Sequence, residues 1–216
     1  MKIGIIGAGY ISRAVASVAM RHGHEVMVSN SRSPNSLFTM VNTIGVKAGT
    51  PKEAASFGDI VLVAIPFSAY DSIPVAPLKG KIVLDAGNYY SARDGEIAVL
   101  ERNETTTSEM LARLLPGSHV VKAFNAIIAA DIERDGVPSD AKDRRALPIA
   151  GDDPSAKKAI TTFMNELGFD VLDVGPLVEG WRFQPDTPAY CVRMHSEQLR
   201  QALIDAENVK SAPVQR

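Results

Sequence analysis

The run Gly7-Ala8-Gly9-Tyr10-Ile11-Ser12 carries the strongest chemical signal in the sequence. Two glycines spaced in this way can bring bare backbone N–H groups against an anion. The first permits a tight turn, the second lets the backbone approach a pyrophosphate, and a small residue three places on lets a helix pack closely on a strand. Ser12 stands at that third place, where a small hydroxyl side chain fits much as alanine does. A helix opening at Tyr10 would aim its free amides and positive dipole end at the phosphates. Gly7, Ala8, Gly9, Tyr10 and Ile11 are therefore candidate dinucleotide contacts. The alternative is a purely structural glycine turn, against which the strand before and the helix after both speak.

Sites for the unphosphorylated dinucleotide commonly carry an acid about 20 residues past the glycines, where it binds the ribose 2′-hydroxyl. Asn30 stands there, followed by Ser31, Arg32 and Ser33. An acid would repel a 2′-phosphate, whereas hydroxyls and a guanidinium supply neutral donors and a matched bidentate cation. The expectation is NADP(H) rather than NAD(H), held by Asn30, Ser31 and Arg32. A turn-and-cap role for Ser31 to Pro34 is compatible with this and leaves the missing acid unexplained. Three strand ends should deliver the remaining contacts. Ala64, Ile65 and Pro66 are expected at the ribose and nicotinamide, Ala86, Gly87 and Asn88 in the same crevice, and Asn125 at the carboxamide or, alternatively, as a helix cap.

Short β-branched runs alternating with helical patterns must position these residues. That alternation predicts an α/β fold, a doubly wound, mostly parallel sheet of the NAD(P)-binding Rossmann type. The strands read as Lys2 to Ile6, Glu25 to Ser29, a weak one at Val46 to Ala48, Ile60 to Ile65, Ile82 to Asp85, Val120 to Ala123, Leu147 to Ala150 and Val171 to Asp173. Several lack polar alternation, as strands covered on both faces should. Thr50-Pro51-Lys52-Glu53 reads as a capping box with proline at the first helical position. Asp153-Pro154 opens another helix that Gly168 closes. Ala86 to Thr107 reads as a long polar loop. Thr187-Pro188 reads as the start of a C-terminal helix ending near Asn208, followed by a frayed tail over 211–216. The domain reading is residues 1–174 as the nucleotide-binding unit and 175–216 as a loop-helix extension for an acceptor pocket or dimer contact.

Composition bounds the partners. Of 216 residues, 45% are hydrophobic and 22% charged, and 23 Lys plus Arg against 25 Asp plus Glu give a net charge of -2. This is a globular composition without the basic excess that nucleic acid or an anionic membrane would call for. One cysteine, Cys191, rules out an intramolecular disulfide and an all-cysteine metal site. No segment approaches the roughly 20 apolar residues of a membrane span, and the short apolar start runs into glycines rather than a cleavage site. A cytoplasmic location is expected. The four histidines, His22, His24, His119 and His195, show no ligand spacing, so no metal is expected.

Four islands then resemble the family of coenzyme F420-dependent NADP oxidoreductases, and also the cytosolic reductase domain of the STEAP metalloreductases. They are Gly4-Ile5-Ile6-Gly7-Ala8-Gly9 with Ser12, Val28-Ser29-Asn30-Ser31-Arg32, Val121-Lys122-Ala123-Phe124-Asn125, and Gly151-Asp152-Asp153-Pro154 through to Asp173-Val174-Gly175-Pro176-Leu177. The resemblance implies that NADPH lies across the carboxyl edge of the sheet, with Ser31 and Arg32 on its 2′-phosphate. It also implies a deazaflavin or flavin ring stacked on the nicotinamide.

Transfer between rings needs little from side chains beyond distance and orientation, so no catalytic residue is assigned. Reduction of a carbonyl or imine would instead want a proton donor, for which Lys122, His119, Tyr89 and Tyr90 are the candidates. Relatives with a substrate domain add roughly 100 residues or more, which this chain has no room for after its eighth strand. The leading expectation is an NADPH-dependent oxidoreductase passing a hydride to coenzyme F420, FMN or FAD. The alternatives are a small-carbonyl or imine reductase and a non-catalytic NADPH-binding sensor. A homodimer is expected, because one sheet edge makes only a shallow pocket.

Overall fold

The computed structural model describes residues 1–211, with side chains through residue 208. Eight strands form one sheet in the order β3-β2-β1-β4-β5-β6-β7-β8. They are β1 (Lys2–Ile6), β2 (Glu25–Ser29), β3 (Lys47–Ala48), β4 (Ile60–Val63), β5 (Ile82–Asp85), β6 (His119–Lys122), β7 (Ala146–Gly151) and β8 (Asp170–Asp173). The chain starts in the middle, winds outward to β3, then returns across β1 to build β4 to β6. This reversal creates the switch point at which open α/β sheets bind ligands. All pairings are parallel except β6 with β7.

Helices cover both faces. They are α1 (Tyr10–Arg21), α2 (Phe38–Ile44), α3 (Pro51–Phe57), α4 (Ser91–Asp94), α5 (Ala98–Glu101), α6 (Thr107–Leu114), α7 (Ala129–Arg134), α8 (Pro154–Glu166) and α9 (Ser196–Ser211). One core cluster joins Ile3, Ile5 and Leu84 of the sheet to Val15 of α1 and Phe163 of α8. A second joins Val61, Val63 and Val83 to Leu111 of α6. Continuous apolar strands such as Ile60–Val63 are buried along their whole length, as two covered faces require. A third cluster packs Phe183 and Ala189 with Leu199, Ala202 and Leu203 of α9 against Ala146 and Ala150 of β7. Among the described residues no helix is long and apolar enough to cross a membrane.

The helix starts follow local chemistry. Thr50 accepts from the Glu53 N–H at 3.2 Å while Glu53 accepts from the Thr50 N–H at 2.8 Å, the reciprocal cap read from the sequence. Asp153 caps α8 through the Ala156 N–H at 2.7 Å. Strands β3, β6, β7 and β8 shift from the expected bounds by one residue at one or both ends, and three departures are larger. The Ala86 to Thr107 stretch contains α4 and α5, and its threonine run ends in a second capping box, Thr106 with Glu109. Strand β4 stops at Val63 rather than Ile65: the Ala64 N–H still bonds the Ile6 carbonyl at 3.0 Å, and the chain bends at Ile65, just before Pro66. The C-terminal helix starts at Ser196, not Thr187. The Thr187 hydroxyl donates backward to the Gln184 carbonyl at 2.8 Å instead of accepting helix amides, and Cys191 at φ 57° breaks any helical path. The tail expected to fray lies, beyond Ser211, outside the described residues.

Candidate functional site

Gly7 follows β1 at φ 115°, a region that disfavours every residue but glycine. A Cβ there would sit 2.3 Å from the Ala64 carbonyl oxygen, so Gly7 is needed for the turn and for contact with the end of β4. Gly9 is different: nothing lies within 4 Å of its would-be Cβ. It is the N-cap of α1 with no side-chain cap, which leaves the first-turn amides without an intrahelical partner and open to an anion. Ser12, at the third glycine position, is fully buried, and its hydroxyl has no hydrogen-bond partner among the described residues.

The end of β2 is tied to this turn. The Ser29 hydroxyl donates to the Ile5 carbonyl at 3.0 Å, and the Ser29 carbonyl accepts from the Gly7 N–H at 3.0 Å. From that anchor Asn30 forms a side-chain-closed turn, its Oδ1 accepting from the Arg32 N–H at 2.9 Å and its Nδ2 donating to Ser36 Oγ at 2.8 Å. Ser31 and Arg32 are exposed, and the Arg32 guanidinium has no ion pair among the described residues. The turn-and-cap reading of Ser31 to Pro34 and the anion-binding reading of Arg32 thus coexist, since the turn is closed by the Asn30 side chain and takes only the backbone N–H of Arg32.

On the other side of the switch point, Pro66 is exposed and Ala64 and Ile65 are half-buried. Asn88 and Asn125 interlock. Asn125 Nδ2 donates to Asn88 Oδ1 at 3.1 Å and to the Phe183 carbonyl at 2.9 Å, while Asn88 Nδ2 donates to the Asn125 carbonyl at 3.0 Å. Asn125 is only 4% exposed and its Oδ1 lacks a partner among the described residues, so it lies beneath Asn88 rather than at the open surface. Phe124 before it adopts φ 59°, an unusual conformation for a bulky residue.

The charged ends of β5 and β6, which sequence reasoning did not connect, form a sealed network. Asp85 and Lys122 are fully buried register partners. Asp85 Oδ1 accepts from the Tyr70 hydroxyl and the Gly87 N–H, both at 2.9 Å, and Oδ2 accepts from Ser108 Oγ at 2.6 Å. Lys122 Nζ donates to Ser108 Oγ at 3.2 Å and to the Gly87 carbonyl at 3.4 Å. Burial pushes the Lys122 ammonium down from its ordinary value, with Asp85 acting the other way. Burial and the neighbouring Asp85 hold the Tyr70 phenol well above its ordinary range. The one hint in the sequence is that two apolar strands, Ile82–Asp85 and His119–Lys122, each end in a charge; only their register makes the two charges neighbours. Lys122 is therefore closed to a substrate. His119 is at the opposite end of β6, where its Nδ1 lies 3.2 Å from Asp153.

Beyond this network a groove of about 650 Å³ opens between the 89–103 segment, the turn after β8 and α9. Tyr89, Tyr90, Trp181, Gln184 and Pro185 line it. The Tyr89 hydroxyl lies 2.7 Å from Glu101 Oε1 and accepts from the Ile97 N–H at 3.0 Å. The Tyr90 and Tyr190 hydroxyls are hydrogen-bonded to each other, and Tyr190 also lies 3.5 Å from Asn88 Nδ2. Burial and the Tyr90 hydroxyl raise the Tyr190 phenol above its ordinary value. Among the described residues no group of three or more His, Cys, Asp or Glu is arranged to hold a metal.

Residues 2–89 match the family model described as NADP oxidoreductase, coenzyme F420-dependent. Metalloreductase STEAP3 of Rattus norvegicus is 31% identical over 181 residues, which are 82% of this chain and 34% of the rat protein. The chain thus spans about a third of the length of that curated relative. Among solved structures, a hypothetical protein from Sinorhizobium meliloti is 30% identical, with a TM-score of 0.79 over 90% of this chain and 94% of that one. A provisionally assigned F420-dependent NADP reductase from Arthrobacter sp. FB24 shares the fold at a TM-score of 0.72 and 24% identity, over 83% of this chain and 87% of that one.

Proposed function

We propose that the chain is a member of the coenzyme F420-dependent NADP oxidoreductase family, whose model matches residues 2–89, and that it passes a hydride between NADP(H) and a flavin-like ring, coenzyme F420 or a flavin such as FMN or FAD. One observation carries the nucleotide half. The helix start at Gly9, bare of side chains, is tied through Gly7 and Ser29 to a turn that carries Arg32, whose guanidinium has no ion pair among the described residues. In this reading Gly7 to Ile11 receive the pyrophosphate, Ser31 and Arg32 hold the 2′-phosphate, and the 64–66 and 86–88 edges border the nicotinamide.

NADPH, when bound, supplies a hydride from its nicotinamide ring. The protein's part is to hold two planar partners at the correct distance and angle, which can lower a barrier by several kcal/mol without acid or base chemistry. The sealed Lys122 and Asp85 suit such a site, since neither charge is open to a reactant. The aromatic groove at Tyr89, Tyr90 and Trp181 is the receiving place for the acceptor ring. Closure of this open groove by a second copy of the chain belongs to the same reading.

The test mixes the protein with NADPH and, separately, F420, FMN, FAD, ferric chelates and small carbonyls, following the nicotinamide absorbance band. Ring acceptors should accelerate its loss. Acceleration by a carbonyl alone would sink the ring-transfer reading.

A further inference from the structure

Gly87 sits at the carboxyl edge between two strands whose last residues both reach for it. Its N–H donates to the Asp85 carboxylate at 2.9 Å and its carbonyl accepts from Lys122 Nζ at 3.4 Å. Ser108 bridges the two charges, donating to Asp85 at 2.6 Å and accepting from Lys122 at 3.2 Å. The Tyr70 hydroxyl completes the acid's set at 2.9 Å. Space is as tight as charge: a Cβ on Gly87 would fall 1.9 Å from the Tyr70 hydroxyl oxygen, and one on Gly180 would fall 2.7 Å from Lys122 Cδ.

Such an arrangement is a poor way to gain stability. Burying an acid and an amine incurs a desolvation cost that well-packed apolar side chains avoid, and replacing buried charge networks with apolar ones is often neutral or stabilising. What the network does supply is a fixed peptide. Both backbone polar groups of Gly87 are gripped, one by the end of its own strand β5 and one by the end of β6, and the next residues are Asn88, which interlocks with Asn125, and Tyr89, which lines the acceptor groove.

We infer that Asp85 and Lys122, bridged by Ser108, are positioning residues that clamp Gly87 and so set where Asn88 and Tyr89 stand relative to the two bound rings. The inference rests on the reading of this edge as the hydride-transfer site. Neither residue touches a reactant. They act through the backbone, so their loss should misplace the reacting rings while leaving the phosphate contacts at Gly9 and Arg32 intact.

The test compares the full chain with Lys122→Met and Ser108→Ala by amide hydrogen exchange and by steady-state kinetics with NADPH and whichever acceptor the wild type uses. In both variants, exchange in peptides covering residues 86–90 should rise about tenfold or more, with exchange in β1 and α1 unchanged. The kcat should fall about tenfold to a hundredfold while KM for NADPH stays within about threefold, the signature of lost alignment rather than lost binding. Unchanged exchange over 86–90 overturns the clamp, as does a well-folded Lys122→Met with wild-type kcat. If Lys122→Met fails to fold, Ser108→Ala, which removes only the bridging hydroxyl, gives the same two readings. A wild type that turns over no acceptor defeats the proposed function, and the exchange measurement then still decides the clamp.

Discussion

Gly7 donates its N–H to the Ser29 carbonyl at 3.0 Å, so the glycine turn after β1 and the Asn30 turn after β2 move as one body. Under the proposed function, the separation between a pyrophosphate at the first and a 2′-phosphate at the second would be built into the backbone before any ligand arrives. Binding then costs little loop ordering, which is the usual advantage of a preorganised site.

The Arg32 guanidinium should account for the choice of nucleotide. Arg32→Ala should weaken NADPH about tenfold to a hundredfold, the worth of a charge-assisted contact of about 1.5–3 kcal/mol, and leave NADH within about twofold. Titrations monitored by nucleotide fluorescence measure both. Equal losses for the two nucleotides would remove the 2′-phosphate assignment.

The two loop glycines should fail in different ways. Gly7→Ala forces a side chain into φ 115° and against the Ala64 carbonyl, so thermal denaturation should show a clear loss of stability, on the order of 2 kcal/mol or more. Gly9→Val meets open space and should melt near the wild-type temperature while losing NADPH affinity at least about tenfold. A Gly9→Val protein that binds normally would mean that no phosphate approaches that backbone.

Ser12 buries a hydroxyl that has no partner among the described residues, at a cost of about 1–3 kcal/mol for the unmet hydrogen bond. Ser12→Ala should raise Tm by a few degrees and leave NADPH binding unchanged. A drop in Tm would show that the hydroxyl has an unseen partner, such as a bound water.

The stability of the chain should decline on mild acidification through His24. Burial first, then the N-terminal ammonium, hold this imidazole below its ordinary value of 6.5. The unfolded chain therefore takes up a proton before the folded one does, and stability present above pH 6.5 is lost as the pH falls toward the folded value. Melting curves from pH 8 to pH 5 should show a steeper decline for the wild type than for His24→Phe, which keeps the packing on Phe163 and cannot titrate. Parallel declines would place the sensitivity elsewhere.

Much of the fold was legible because its signals are local. The apolar strands, the Thr50 and Asp153 caps and the glycine turn each depend on residues within a few positions of one another. The Asp85–Ser108–Lys122 network was not legible, because it joins three elements far apart in sequence and only the register of β5 with β6 makes neighbours of the two charges. Gly4 was missed for the same reason: its missing side chain matters only because the Ala54 carbonyl of α3 would lie 2.0 Å away. Thr187-Pro188 misled because it is a good helix start by composition, while the Thr187 hydroxyl is spent on Gln184 behind it.

The join between β6 and β7 has a further consequence. The ladder there is only two pairs long, Val121 with Gly151 and Lys122 with Ala150, so most of β7 continues past the end of β6 and carries β8 alongside it. The third core cluster, with α9, packs on β7 at Ala146 and Ala150. Cooperative opening units tend to separate where few backbone hydrogen bonds cross. In dilute denaturant the molecule should therefore part along this seam, releasing β7, β8 and α9 as one subglobal unit while β1 to β6 stay protected. Lys122, which grips Gly87, lies directly on the line of parting.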